Sequence, residues 1–268
     1  MIKLFLARAV LALMAAIVLV PLVWTVLNAF KENVDLLTST PQIFFTPVLD
    51  NVAYVLGRES VFHALANSVI VCLTAVIIGT VVGLPAAYAV ARHPNRWTGE
   101  FQFFVLSLRF LPPVAVAIPL MVIWLRLDIY DTKLGLILIY SFLTISVTVW
   151  LAIPAFQQVP RSIEEAARVD GYGPYAVFVR VALPVAAKGL VGALAFSFVL
   201  VWNEFLLALM LTTSDAKTLP MVASELSQLG KSVPWGILNA AVVLLSLPPL
   251  LLLGALNGFL NRMITRKA

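Results

Sequence analysis

Few residues in this 268-residue chain have the types and spacing that chemistry requires. Gly230-Lys231-Ser232 matches the end of a phosphate-binding loop, in which backbone N–H groups cradle phosphates. The first glycine of such a loop belongs at position 225, which is Glu225, and no strand precedes it, so the triplet is set aside. His63 and His93 stand near opposite ends of one long apolar run and cannot share a metal. Cys72 is the single cysteine, which excludes a disulfide framework and a cysteine metal site. No Ser-His-Asp set, His-Glu-x-x-His or carboxylate cluster is visible. No catalytic residue and no metal site are therefore assigned. One ionisable residue, Glu204 in Val201-Trp202-Asn203-Glu204-Phe205, lies inside an apolar run. Such an acid is costly in a membrane and faces a bundle interior or a water-filled cavity. Either Asn203 and Glu204 face a polar route for solute, or Glu204 pairs with a cation on a neighbouring helix or reaches the outer interface.

The elements that must position these groups are apolar. Hydrophobic residues make up 62% of the chain and charged ones 12%, and mean hydropathy is +1.01. A soluble domain could not cover so much apolar surface with so few charges. Six apolar blocks approach the roughly 20 residues that span a bilayer core: about 9–30, 64–91, 101–125, 134–154, 185–210 and 236–260. They lack period-2 alternation, which excludes a barrel wall and predicts an all-α membrane protein. Pro21, Pro85, Pro112, Pro113, Pro119, Pro248 and Pro249 fall inside blocks and predict kinks. With the N-terminus in the cytoplasm, the inner segments hold twelve Lys and Arg residues, including Arg92, Arg109, Arg161, Arg266 and Lys267; the outer segments hold six. The positive-inside rule then places both termini in the cytoplasm. The formal charge of +5 reflects this topology and gives no hint of nucleic-acid binding. The first block is longer than a signal-peptide core and no small-residue cleavage pattern follows it, so it reads as a retained span.

In this topology, residues 155–184 form the longest cytoplasmic segment. Pro160 ends the preceding helix, and Ser162 with Glu165 has the spacing of a capping box. Glu164 and Glu165 suit the positive end of a helix dipole. Gly171 supplies a left-handed stop, and Gly173-Pro174 restarts a helix that ends near Leu183-Pro184. Two helices of about nine residues are too short to be stable alone and need a surface to lie against. Ala166 and Ala167 give a small face for close approach, and Glu165, Arg168 and Asp170 offer ionic contacts. Tyr175, Phe178, Val179 and Val181 are available to anchor the second helix on the bundle. Capping, glycine stops and the small face favour a docking element over an ordinary solvated loop.

The order Glu165-Ala166-Ala167, three residues, Gly171, nine residues, Val181, one residue, Leu183-Pro184 resembles the EAA motif of ABC importer permeases, with Val181 for isoleucine. Pro21-Leu22-Val23-Trp24, Asn28-Ala29-Phe30-Lys31, Phe62 to Ser68, Pro85 to Arg92 and Trp202 to Phe205 are similar to stretches of the carbohydrate-uptake group, the shorter six-span, maltose-transporter type. The resemblance implies a six-span type I importer transmembrane domain over 1–268 with a cytoplasmic coupling-helix pair. It implies a plasma-membrane subunit that is not an enzyme, whose cofactor, ATP-Mg, sits on partner subunits. Those partners are a second permease, two cytoplasmic ATPases and an extracytoplasmic solute-binding protein. In the family the EAA helices occupy a groove on each ATPase, and the glutamate meets a basic residue there. Carried over, Glu165 is that contact and Gly171 the turn between the helices, with Ala166, Ala167, Arg168, Asp170, Leu183 and Pro184 as neighbours. The outer segments hold eight acids against six bases, which suits a binding protein and ordinary solvated loops equally. A self-contained secondary transporter or channel, or an importer for a non-carbohydrate solute, remains the alternative; a secondary transporter would show repeats or intramembrane charge pairs.

Overall fold

Backbone N–H and C=O groups in apolar runs must be satisfied within the chain, and helices do this locally. The computed structural model describes residues 2–108, 110, 112–226 and 234–265, and every regular element among them is a helix. In order these are α1 (Ile2–Ala29), α2 (Asn33–Leu36), α3 (Asp50–Leu56), α4 (Glu59–Arg92), α5 (Thr98–Ser107), α6 (Pro113–Arg126) and α7 (Lys133–Gln157). Then follow α8 (Arg161–Val169), α9 (Pro174–Val177), a π-helical turn (Phe178–Ala182), α10 (Leu183–Trp202), α11 (Leu206–Leu211), α12 (Leu219–Leu226) and α13 (Trp235–Thr265). Among the described residues, five helical stretches are long and apolar enough to cross a membrane: Phe5–Ala29, Glu59–Arg92, Lys133–Gln157, Pro174–Trp202 and Trp235–Leu256. The chain is a multi-pass membrane protein. Arg109, Gly230-Lys231-Ser232, Arg266 and Lys267 lie outside the described residues.

The helices form two compact units. One comprises residues up to Ala64 together with Leu219–Pro248, the other Leu65–Thr218 with the segment from Pro249 onward. In the first, residues 5–23 of α1 are exposed throughout, an apolar sheath that lipid or protein must cover. Its far end is locked by Lys31, only 1% exposed. The ammonium donates to Asn28 Oδ1 at 2.9 Å and lies 4.0 Å above the Trp24 ring. Burial lowers the Lys31 pKa, an effect the Asp35 carboxylate partly offsets. Asn51 Nδ2 donates to the Ala29 and Lys31 carbonyls, and Gly236 of α13 leaves room for its amide.

In the second unit, close approach of helices depends on small and hydroxyl residues. Gly79 and Gly83, a G-x-x-x-G pair on α4, lie against Thr144 and Thr148 of α7, where a Cβ would collide. Thr144 Oγ1 donates across the interface to the Ala75 carbonyl at 2.7 Å. Thr148 and Ser197 hydroxyls meet at 3.3 Å between α7 and α10, and Ser146 donates to Val105 of α5. Below this seam, Leu84, Ala87, Ala152, Phe156 and Leu190 form an apolar core.

Two expected spans are broken. The block at 101–125 divides into α5 and α6, with Pro112 as N-cap and Pro113 opening α6. Consecutive prolines remove two N–H donors, and the residue before a proline avoids the α region. The 14-residue α6 is about 21 Å long at 1.5 Å per residue, short of the roughly 30 Å core. Pro21, Pro85 and Pro119, by contrast, sit inside continuous helices. The block at 185–210 divides at Asn203-Glu204-Phe205 into α10 and α11. Beyond α11, residues 213–216 fold onto Asp131, whose carboxylate accepts from the N–H groups of Thr213, Ser214, Asp215 and Ala216. Burial raises the Asp131 pKa, but these four donors outweigh it and hold the carboxyl at about 2. Asn67 Nδ2 secures the same loop through the Asp215 and Lys217 carbonyls.

Gly79→Val is expected to cost about 1–3 kcal/mol through overpacking, lowering the unfolding midpoint by roughly 5 °C. Gly192→Ala, where nothing lies within 4 Å of the added carbon, is expected to leave it unchanged. Thermal unfolding of the detergent-solubilised protein checks both.

Candidate functional site

The stretch 158–184 builds a helical knob in three steps. Pro160, with ψ of 130°, halts the chain after α7 and serves as N-cap of α8. The capping box is not formed: α8 begins at Arg161, no side chain caps it, and Ser162 and Glu165 are exposed. An N-cap that already lies at Pro160 leaves Ser162 inside the first turn. The other end closes as expected, with Gly171 at φ +87°. The Gly171 N–H donates to the Arg168 carbonyl and that of Tyr172 to Ala167, both at 3.0 Å. Together they form a complete Schellman motif. Pro174 then opens α9 as its first residue.

The second helix does not end at Leu183-Pro184. From Pro174 to Trp202 the helical path is continuous through the π turn. Pro184 cannot donate to the Arg180 carbonyl four residues back, and the wider turn relieves the clash of its ring with that carbonyl. The anchors differ too. Val177 and Ala182 are fully buried, whereas Tyr175 is 79% exposed and Val179 is also exposed. Phe178 does pack inward, with its ring centroid 5.0 Å from that of Tyr88 and 6.0 Å from that of Phe156.

Among the expected docking residues, Glu165, Ala166, Arg168 and Asp170 are exposed, and Ala167 is buried. Leu183 is half-buried and Pro184 exposed. Glu165, Arg168 and Asp170 carry no ion pair to a described residue. The adjacent acid behaves differently. Glu164 is 2% exposed, and its Oε1 accepts from Arg92 Nε at 2.8 Å and Nη2 at 2.6 Å. Tyr88 Oη donates to Oε2 at 2.8 Å, and Arg92 Nη2 also donates to the Val159 carbonyl at 2.9 Å. The carboxylate thus joins α8 to the end of α4, and Arg92 carries the link on to the segment after α7.

At the break after α10, Glu204 is a helix cap. Its carboxylate accepts from the N–H groups of Leu207 and Ala208, opening α11, and from Tyr140 Oη at 2.9 Å. It has no cation partner among the described residues. Amide donors at a helix start supply the positive field that a basic side chain would otherwise provide. Asn203 donates to the Val199 carbonyl, closing α10. Glu204 and Asn203 line a cavity of about 530 Å³ with Ile139, Phe142, Ser146 and Phe205. This is mostly apolar space with a carboxylate, an amide and a hydroxyl on its wall.

Residues 79–266 match the family described as "binding-protein-dependent transport system inner membrane component". The chain belongs to that family. As such it is an ABC transporter permease, and it is similar to other permeases along most of its length. A probable ABC transporter permease of Sinorhizobium fredii is 33% identical over 88% of this chain and 84% of its own. The diacetylchitobiose uptake permease NgcG of Streptomyces coelicolor is 32% identical over 91% and 82%. The trehalose/maltose permease MalG of Thermococcus litoralis is 29% identical over 88% and 86%. In fold, the permease superimposes on a bacterial alginate importer with TM-score 0.75, covering 96% of both chains at 18% identity.

In the sequence Glu165 stands out through the EAA pattern, whereas the pairing of Glu164 with Arg92 and Tyr88 does not. A signal was present: adjacent residues on a helix point about 100° apart, so of two neighbouring acids on a docked helix one turns toward the body. Tyr140→Phe removes one donor to a charged group, expected to cost about 1.5–3 kcal/mol. Glu204→Ala is expected to cost more, since it also uncaps Leu207 and Ala208. Thermal unfolding of the purified permease checks that order, and equal midpoints would contradict it.

Proposed function

We propose that this permease is the membrane subunit of an ATP-driven sugar or polyol importer, powered through the knob formed by α8 and the turn at Gly171. The observation that carries the reading is the outward face of that knob. Glu165, Ala166 and Asp170 are exposed there beside apolar Ile163, Tyr172, Tyr175 and Val169, the last 88% exposed. Exposed apolar side chains among charges, on a helix too short to stand alone, fit a protein partner. That partner is a cytoplasmic ATPase, with Glu165 meeting a basic residue in its groove and ATP-Mg held on the ATPase. A second permease, a second ATPase and an extracytoplasmic solute-binding protein complete the assembly. The permease carries out no catalysis itself. The excess of Lys and Arg at the knob side supports a cytoplasmic position for that side and for both termini.

The cargo class is supported by the relatives, which are named for diacetylchitobiose, trehalose/maltose and sulfoquinovosyl glycerol. The wall formed by Asn203, Glu204 and Ser146 offers hydroxyl-binding groups along the route. ATPase closure moves the knob, and the knob moves the spans, giving alternating access as one packed body rocks on another.

Glu165→Lys and Gly171→Asp are the test. The first reverses the docking charge; the second puts a Cβ-bearing residue at φ +87° and distorts the turn. Each is expected to reduce uptake at least tenfold in cells carrying the whole transporter and to reduce the ATPase that co-purifies. Unchanged uptake, with no ATPase associated with the unaltered permease, would overturn the reading.

A further inference from the structure

We infer that the Arg92–Glu164 ion pair, with Tyr88, is a strut that makes α8 and the inner end of α4 move as one body, so that Glu164 and Arg92 are positioning residues for energy coupling. The inference rests on the docking role of α8 and concerns the opposite face of that helix.

Only Glu164 and Ala167 of α8 are buried. An alanine offers little apolar area, so the inward face of α8 is held chiefly through one carboxylate. Its side chain and that of Arg92 are 3% and 6% exposed. Both Arg92 nitrogens converge on one oxygen while Tyr88 holds the other, so the carboxylate cannot rotate without losing a bond. Arg92 is fixed in turn by the Val159 carbonyl. The Tyr88 ring is seated against Phe156 and Phe178 at 5.4 and 5.0 Å, so this contact reaches α7 and the π turn as well.

A displacement of the knob has two ways into the bundle. The covalent route runs through the Gly171 turn and α9 into α10. The strut opens a second route, into α4, which packs on α7 through Gly79 and Gly83. Without it, α8 pivots on its two ends and α4 is no longer driven with α10. A buried pair of this kind is weak evidence for stability but well suited to fixing one geometry.

The test uses the whole transporter in nanodiscs, with its own ATPases, partner permease and binding protein. It measures ATPase co-purification, basal ATP hydrolysis and the stimulation of hydrolysis by the binding protein. Glu164→Gln is expected to keep co-purification and basal hydrolysis within twofold while stimulation falls at least fivefold. The exchanged pair Glu164→Arg with Arg92→Glu is expected to recover part of the stimulation. Tyr88→Phe, which removes only a hydroxyl, is expected to give a smaller loss in the same direction and serves if Glu164→Gln does not accumulate. Stimulation equal to that of the unaltered protein in both Glu164→Gln and Tyr88→Phe would overturn the strut. So would parallel loss of all three quantities without recovery in the exchanged pair, which marks a merely structural anchor. Absence of ATPase from the unaltered assembly would instead strike at the docking role of α8.

Discussion

A carboxylate and a guanidinium withdrawn from water at the foot of α8 set the geometry of the knob. Burying either charge alone would cost several kcal/mol, so the pair forms only where α4, α7 and α8 all arrive in register. That register comes from small residues higher in the bundle: Gly79 and Gly83 admit Thr144 and Thr148, which brings the last turn of α4 beside the end of α7. Pro160 then stops the chain within reach of Arg92, and α8 lies down with Glu164 inward and Glu165 outward. The outward face is therefore presented by the bundle and is not a free loop.

The same economy of polar groups appears at Glu204, a charged position within the fifth apolar block. Glu204 replaces a continuous helix with a break, and the N–H groups freed by that break satisfy its carboxylate. The break opens the cavity beside Asn203 and Phe205. Helical interruption and polar lining thus have one cause, consistent with the rule that irregular backbone at membrane depth survives where it is buried or lines a cavity.

Local signals made the knob legible in the sequence. A glycine needed at positive φ, a proline suited to a first turn and acids at a helix start each act within a few residues. The left-handed Gly171 and Pro174 at the start of α9 stand where those signals put them. The capping box failed because Pro160 had already claimed the N-cap. The π turn was not legible because relieving Pro184 depends on what α10 packs against, and Leu183-Pro184 alone reads as a stop. The split of the fifth block was hidden because Trp202, Phe205 and Leu206 keep the hydropathy high across Asn203-Glu204. Which of Glu164 and Glu165 faces inward depends on Arg92, distant in sequence, and no local pattern carries that.

The central claim is that α8 stands between an ATPase and the bundle, with one acid serving each side. A cryo-EM structure of the assembled transporter tests it most directly. The account predicts Glu165, Ala166 and Val169 seated against the ATPase, with Glu165 beside a basic residue, while Arg92 and Tyr88 still hold Glu164 on the opposite face. An ATPase bound elsewhere on the chain, with the outward face of α8 in solvent, would contradict it.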